Sequence, residues 1–240
     1  MNLIIDVGNT RVKVAVFELD TIVELEVFDK EKIVSEIKKI ISKFSISKSI
    51  ISAVATLSAE KIQELHSFLD LIELNHTTKV PFINKYKTPK TLGVDRIALA
   101  SGAIQMFPDT NVLVIDAGTC ITYDLVNQKG EYLGGAISPG IKIRYKALNH
   151  YTSKLPLLEK TSLESYIGSD TATSMHSGVL NGVMQEIDGV INQYRKDFPN
   201  LTIVLTGGDT IFLSKQLKNG IFASPNFLLE GLHQILRFNI

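Results

Sequence analysis

The chain has 240 residues, 45% of them apolar, enough to bury a substantial core in one large or two small domains. Lys plus Arg equals Asp plus Glu at 25 each, which argues against broad electrostatic capture of nucleic acid or anionic membrane while leaving room for a local basic site. Cys120 is the sole cysteine, so no intrachain disulfide can form and a reducing, cytoplasmic setting is expected; Asp6 interrupts the N-terminal apolar residues, which do not read as a signal peptide, and no apolar run approaches the ~20 residues that span a bilayer.

Taken in chain order, strands are expected at 2–6, 11–18 and 22–28, from β-branched residues and alternation. The stretch KEKIVSEIKKIISKF carries Ile33, Ile37, Ile40, Ile41 and Phe44 at a helical period. SIISAVA reads as a short buried strand, and SAEKIQELHSFL as a helix opened by a Ser cap. VDRIALASGAIQMF is a further helix, ended before Pro108. Strands follow near 112–116, 120–126 and 131–137, then a helix after Pro139-Gly140 and a long helix over roughly 170–196. Gly178, Gly182 and Gly189 weaken that long helix by about 1 kcal/mol each relative to Ala. The strand LTIVLT and helices near 209–218 and 225–237 complete the pattern. Strands and helices alternate in both halves, which is an α/β arrangement.

One internal repeat organises the chain. LIIDVGNTRVKVAVF and VLVIDAGTCITYDLV superpose, placing Leu3 on Leu113, Asp6 on Asp116 and Gly8 on Gly118. Each copy is an apolar strand, a D-x-G turn and a second strand. The expectation is two similar α/β domains, 1–114 and 115–240, with the paired turns facing one central cleft and a C-terminal helix crossing back over the boundary.

A Gly at such a turn permits backbone geometry that aims N–H groups at an anion. Asn9 and Thr10 add donors, and Lys13 adds a positive charge for a terminal phosphate. Asp6 and Asp116 repel phosphate, so they make sense beside it only with a cation between, or facing a hydroxyl. The alternative is that both acids merely close tight turns. In LTIVLTGGDT, paired glycines suit close approach to a flat ligand such as a nucleobase, or form an ordinary loop with Asp209 as helix cap. Asp95 opens the helix VDRIALASGAI, where the helix N-terminus favours its charged form. It is suited to orienting an attacking hydroxyl and taking its proton, or is simply a favourable first-turn acid. Arg96 is suited to a substrate carboxylate, or to an acid at the surface. Neither G-x-x-x-x-G-K-[ST] nor G-x-G occurs, and the five histidines have no metal-binding spacing.

The D-x-G-N-T turn, its D-x-G-T echo and the T-G-G step resemble the actin, hexokinase and Hsp70-like ATPase superfamily. YKTPKTLGVDR, DAGTCITYD, GEYLGGAISPGI and TGGD, in that order, resemble type III pantothenate kinase over nearly the whole chain. That resemblance implies two actin/ribonuclease-H-like domains and transfer of phosphate from ATP to the primary hydroxyl of pantothenate, the first step toward coenzyme A. It also implies magnesium with the nucleotide, a monovalent cation (potassium or ammonium) and a homodimer. Carried over by motif, Asp6, Val7, Gly8, Asn9, Thr10, Arg11, Val12 and Lys13 would hold ATP, with Thr119 also touching it. Asp116 would bind the monovalent cation. Gly93, Val94, Asp95 and Arg96 would line the substrate, with Asp95 as base, and Tyr86 and Thr171 would contact it. The chain departs from the usual D-x-G-T-A-T-T, since Cys120 and Ile121 replace Ala and Thr. Cys120 is expected to be a small buried apolar residue rather than a nucleophile. Other readings are a second small-molecule kinase of the superfamily, or a non-catalytic nucleotide-binding regulator.

Overall fold

The computed structural model describes residues 1–9, 11–53, 57–163 and 165–240. In chain order the elements are β1 (Asn2–Val7), β2 (Val12–Glu18), β3 (Thr21–Phe28), α1 (Ile33–Lys43), β4 (Lys48–Ala53), α2 (Ala59–His66), β5 (Leu71–Glu73), β6 (Ile83–Asn84) and α3 (Val94–Met106). There follow β7 (Val112–Ala117), β8 (Cys120–Val126), β9 (Glu131–Pro139), α4 (Ile141–His150), α5 (Thr171–His176), α6 (Gly182–Asp197), β10 (Thr202–Thr206), α7 (Thr210–Ser214), β11 (Phe222–Ala223) and α8 (Phe227–Phe238).

The chain forms two compact units. The first comprises Met1–Pro108, Gly130–Tyr132 and Asn226–Ile240, and the second Asp109–Lys129 and Leu133–Pro225. In unit one the strand order is β3-β2-β1-β4-β5, with β1 antiparallel to β2 and parallel to β4. In unit two it is β9-β8-β7-β10-β11, with β7 antiparallel to β8 and parallel to β10. Both sheets therefore follow one topology, as the sequence repeat anticipates.

Alternation along the strands decides what each face does. In unit one Leu3, Ile5 and Val7 of β1 join Val12, Val14 and Val16 of β2 in a cluster with Ile33, Ile37 and Ile40 of α1. Those isoleucines recur at i, i+4 and i+7, one helical face, and burying each contributes about 2 kcal/mol. Asp6 falls at an alternate position and lies on the opposite face of β1. Unit two repeats the pattern: Leu113, Ile115 and Ala117 pack with Ile141, Val183, Ile187 and Ile191, while Asp116 has the opposite parity.

The helix at 58–69 forms but is shorter than expected, and Ser58 Oγ caps it by accepting from Lys61 N. The long helix over 170–196 is three segments, α5, a π-helical turn at Ser177–Asn181, and α6. Asp170 opens it with a capping box to Thr173. The helix expected at 209–218 is the single-turn α7. β5, β6 and β11 lie outside the sequence expectation; each has two or three residues, too few for a period to show. β6 pairs in parallel with Glu131–Tyr132, which places Tyr132 in unit one.

α8 packs on α3 so closely that a Cβ at Gly231 would lie 2.0 Å from the Ala98 carbonyl oxygen. Its His233 is buried and stacked on Phe17 at 4.2 Å, with Nε2 beside Asn2 Nδ2 at 3.3 Å. Among the described residues its Nδ1 has no hydrogen-bond partner. Burial pushes its pKa down to about 4; the Asp20 carboxylate opposes the shift and the Arg237 guanidinium reinforces it. The unfolded chain therefore takes up this proton below the ordinary value of 6.5 while the folded chain does so only near 4. Stability is expected to fall from pH 7 to pH 5 by on the order of 1 kcal/mol on this account, solvent screening being allowed for. Urea midpoints at the two pH values check it, and His233→Gln should flatten the difference.

Candidate functional site

The first D-x-G turn links β1 and β2. Gly8 N donates to Arg11 O at 3.0 Å, and Val7 pairs with Val12. Asn9 and Arg11 are exposed, whereas Val7 and Val12 are fully buried, so these two offer a ligand only their main chain. Thr10 lies outside the described residues. Asp6 stands opposite Lys13 across the ladder. Burial pushes the Asp6 carboxyl up to about 7; the Lys13 ammonium pulls it down and the nearby Asp95 carboxylate pushes it further up. Asp6, Lys13 and Asp95 thus share one electrostatic environment within unit one.

That proximity follows from the strand's parity. Asp6 lies on the face away from α1, and α3, which packs with α8 against that side of the sheet, begins with Val94 and Asp95. Gly93 is the N-cap, and Ile97 N donates to its carbonyl at 3.1 Å. Asp95 Oδ1 accepts from Arg96 N at 2.8 Å and lies where a Cβ on Gly93 would be, 2.3 Å away, so a side chain at 93 would displace the carboxylate.

Arg96 is only 5% exposed, so it is not a surface residue. Its guanidinium lies 5.7 Å from the Tyr86 ring centroid and 6.0 Å from that of Tyr132, within cation–π range. Tyr86 follows β6, where its N–H donates to Asn84 Oδ1 at 2.9 Å. Sequence reasoning missed Tyr132, which is fully buried and reaches Arg96 only through the β6–β9 pairing. The G-E-Y-L-G-G stretch that contains it was the available signal.

The second turn, between β7 and β8, is shorter. Ala117 pairs with Ile121, Gly118 N donates to Cys120 O at 2.9 Å, and Asp116 stands opposite Thr122 rather than a lysine. The two acids are equivalent in their first strands, but the ladders run out of step by one residue after the turns. Thr119 is exposed and its carbonyl accepts from Gly140 N at 3.1 Å. Cys120 is exposed, correcting the expectation of a buried thiol: it is the first residue of β8, directly after the turn.

T-G-G-D runs beside this turn. Thr206 pairs with Asp116, and Asp209 N donates to Ala117 O at 2.9 Å. Gly207 has φ +93°, and a Cβ there would lie 2.3 Å from Asp116 Oδ1, so only glycine lets the backbone pass the carboxylate. Beyond it opens a cavity of about 680 Å³, lined by Gly208, Phe212, Lys160, Lys215 and Thr161 among others. Lys160 pairs with Asp209 and lies 5.5 Å from the Phe212 ring centroid. An apolar wall with an aromatic face and two ammonium groups suits a base and the start of a phosphate chain. Thr171 is exposed at the first position of α5.

Known proteins resemble the chain along its whole length. A type III pantothenate kinase from Flavobacterium johnsoniae is 50% identical over 241 residues, covering 100% of this chain and 99% of that protein. A Campylobacter jejuni crystal structure described as a Baf family transcriptional activator superposes with a TM-score of 0.64 at 24% identity, covering 99% and 98% of the two chains. A glucokinase from an Antarctic psychrotroph does so with a TM-score of 0.53 at 11% identity, covering 99% and 98%. These structural likenesses show the fold, an actin/hexokinase-like kinase fold. The family profile described as type III pantothenate kinase matches residues 2–193, most of the chain, and the chain belongs to that family.

Proposed function

We propose that this chain transfers the γ-phosphoryl group of ATP to the primary hydroxyl of pantothenate, the reaction that opens coenzyme A synthesis. The observation that carries this reading is the grouping of Asp6, Lys13 and Asp95 in unit one, in a chain 50% identical to a named pantothenate kinase. Asp95 holds the attacking hydroxyl and receives its proton as the oxygen–phosphorus bond forms. Its support is rigid, being a first-turn position on α3. Lys13, with the turn after Asp6 beside it, takes the terminal phosphate, which phosphoryl transfer needs more than covalent help. Arg96, steadied by Tyr86 and Tyr132, takes the pantothenate carboxylate. Val94 and Gly93 contribute main chain beside it. By the family likeness, Thr171 offers the substrate a hydroxyl.

In unit two the Asp116 turn takes the phosphate side of the nucleotide, with Thr119 beside it, and the cavity at Phe212 takes the base. Asp116 faces a hydroxyl residue across its ladder and the Gly207 backbone at its side, an oxygen-rich setting that fits a potassium or ammonium ion. Magnesium would be held mainly by nucleotide oxygens, with Asp6 the facing carboxylate. When bound, these cations neutralise the charge that builds on the phosphates. A homodimer is supported by exposed Tyr151, Leu157, Tyr166 and Ile167 on unit two, large apolar side chains that follow closely in sequence. A cytoplasmic location fits the lone, exposed Cys120.

ADP release from ATP is expected to require pantothenate and to rise several-fold when potassium or ammonium replaces sodium. Turnover on glucose or acetate with none on pantothenate would sink the substrate assignment, and nucleotide binding with no turnover on any acceptor would sink catalysis.

A further inference from the structure

The turn at Asp116–Thr119 is buttressed from one side by Ser138 and Pro139, the end of β9, and Gly140, the N-cap of α4. Besides donating to Thr119 O, Gly140 lies so close that a Cβ there would be 2.2 Å from Gly118 O and 2.5 Å from Thr119 O. This contact fixes the peptide planes of the turn. What holds the buttress is a side chain one turn further on. Arg144 of α4 donates from Nε to Pro139 O at 2.9 Å and from Nη2 to Ser138 Oγ at 3.0 Å, and it pairs with Glu186 of α6. Glu186 in turn accepts from Tyr123 OH of β8 at 3.0 Å. Burial opposes ionisation of Glu186, but the bonds from Arg144, Ser138 and Tyr123 outweigh it and hold its carboxyl below the usual range.

One guanidinium therefore ties α4 and α6 to the segment of unit two that bears on the turn. A half-buried ion pair contributes little to stability over well-packed apolar residues. Three acceptors in two directions are what the planar fork of Arg serves and the single ammonium of Lys does not.

We propose that Arg144 and Glu186 are positioning residues for the nucleotide: acting through Ser138-Pro139-Gly140, they set the peptide groups of the Gly118–Thr119 turn against its phosphates. This rests on the kinase reading above. The test is calorimetric titration of the full chain with ADP, alongside steady-state kinetics, for wild type, Arg144→Met, Arg144→Lys, Glu186→Gln and the milder Ser138→Ala. Arg144→Met is expected to weaken ADP binding about tenfold and raise KM for ATP similarly, with KM for pantothenate within about twofold of wild type. Arg144→Lys should recover part of the loss, Ser138→Ala should lose about threefold, and adding Glu186→Gln to Arg144→Met should cost little more. Variants that melt earlier yet bind ADP as wild type would overturn the proposal and leave the pair structural. So would equal losses for ADP and pantothenate. If Arg144→Met fails to fold, Ser138→Ala binding ADP at full strength would overturn it alone. Failure of the wild-type chain to bind ADP would overturn the kinase reading, and this proposal with it.

Discussion

Asp95→Asn is expected to bind ATP within about threefold of wild type and to lose ~10²–10⁴-fold in kcat, the range that removal of a general base produces. The amide is isosteric, can still accept from Arg96 N at the position now held by Oδ1, and keeps the turn over Gly93. It cannot take a proton. Because Asp95 is not among the proposed nucleotide contacts, ATP affinity is the internal control. The change in charge also relieves Asp6, whose carboxyl Asp95 pushes upward, so a slight tightening for nucleotide is in keeping with the argument. Single-turnover kinetics and calorimetry on the same preparation separate the two quantities. Turnover within tenfold of wild type would mean that another group activates the hydroxyl.

Asp6→Asn is expected to melt several degrees higher than wild type at pH 8 in the absence of ligand, and to lose at least ~100-fold in kcat/KM. The two halves of that expectation have one cause. Burial disfavours the Asp6 anion strongly enough to bring its pKa to about 7, and Lys13 offsets this only in part. At pH 8 the folded chain therefore carries an ionised carboxylate that the unfolded chain would solvate better, and the amide removes that cost. The cost is worth retaining only for what the anion does with a cation and phosphates in place, which is the trade between stability and activity seen at functional sites. Thermal melts with and without Mg-ADP check it. The variant should gain less from the nucleotide than the wild type, and a variant that melts lower without ligand would overturn the assignment.

The sequence carried the repeat because it is written in local terms. An apolar strand ends in an acid, a glycine permits the turn, and the second copy sets the same residue types in the same order. The matching order of five strands in each sheet, to which the second adds β6 at its edge, grew from that pattern. The side chains gathered around Arg96 were not written locally. Tyr132 reaches it from β9 through a two-residue strand, β6, whose length is below any period. The closeness of Asp6 to Asp95 needed the parity of β1 and the packing of α3 together, and neither alone implies it. The hairpin mismatch, Lys13 facing Asp6 but Thr122 facing Asp116, was open to counting, yet it emerges only when register rather than motif is aligned. Cys120 was misplaced because composition says where cysteines lie on average, while its place at the very start of β8, beside the turn, leaves this one exposed.

α8 follows the whole of unit two along the chain, yet it belongs to the unit that β1 begins. Its apolar side, with Phe227, Leu229, Leu232, Ile235 and Leu236 all buried, finishes a core that β1 and α3 start. During synthesis every residue of the second unit is added before the first unit receives its last segment, Asn226–Ile240. The first copy of the repeat, and with it the half that carries the proposed base, therefore cannot close its core until the last helix has been made. A chain released before Asn226 would present α3 bare to solvent, a form that quality-control proteases would meet as unfinished.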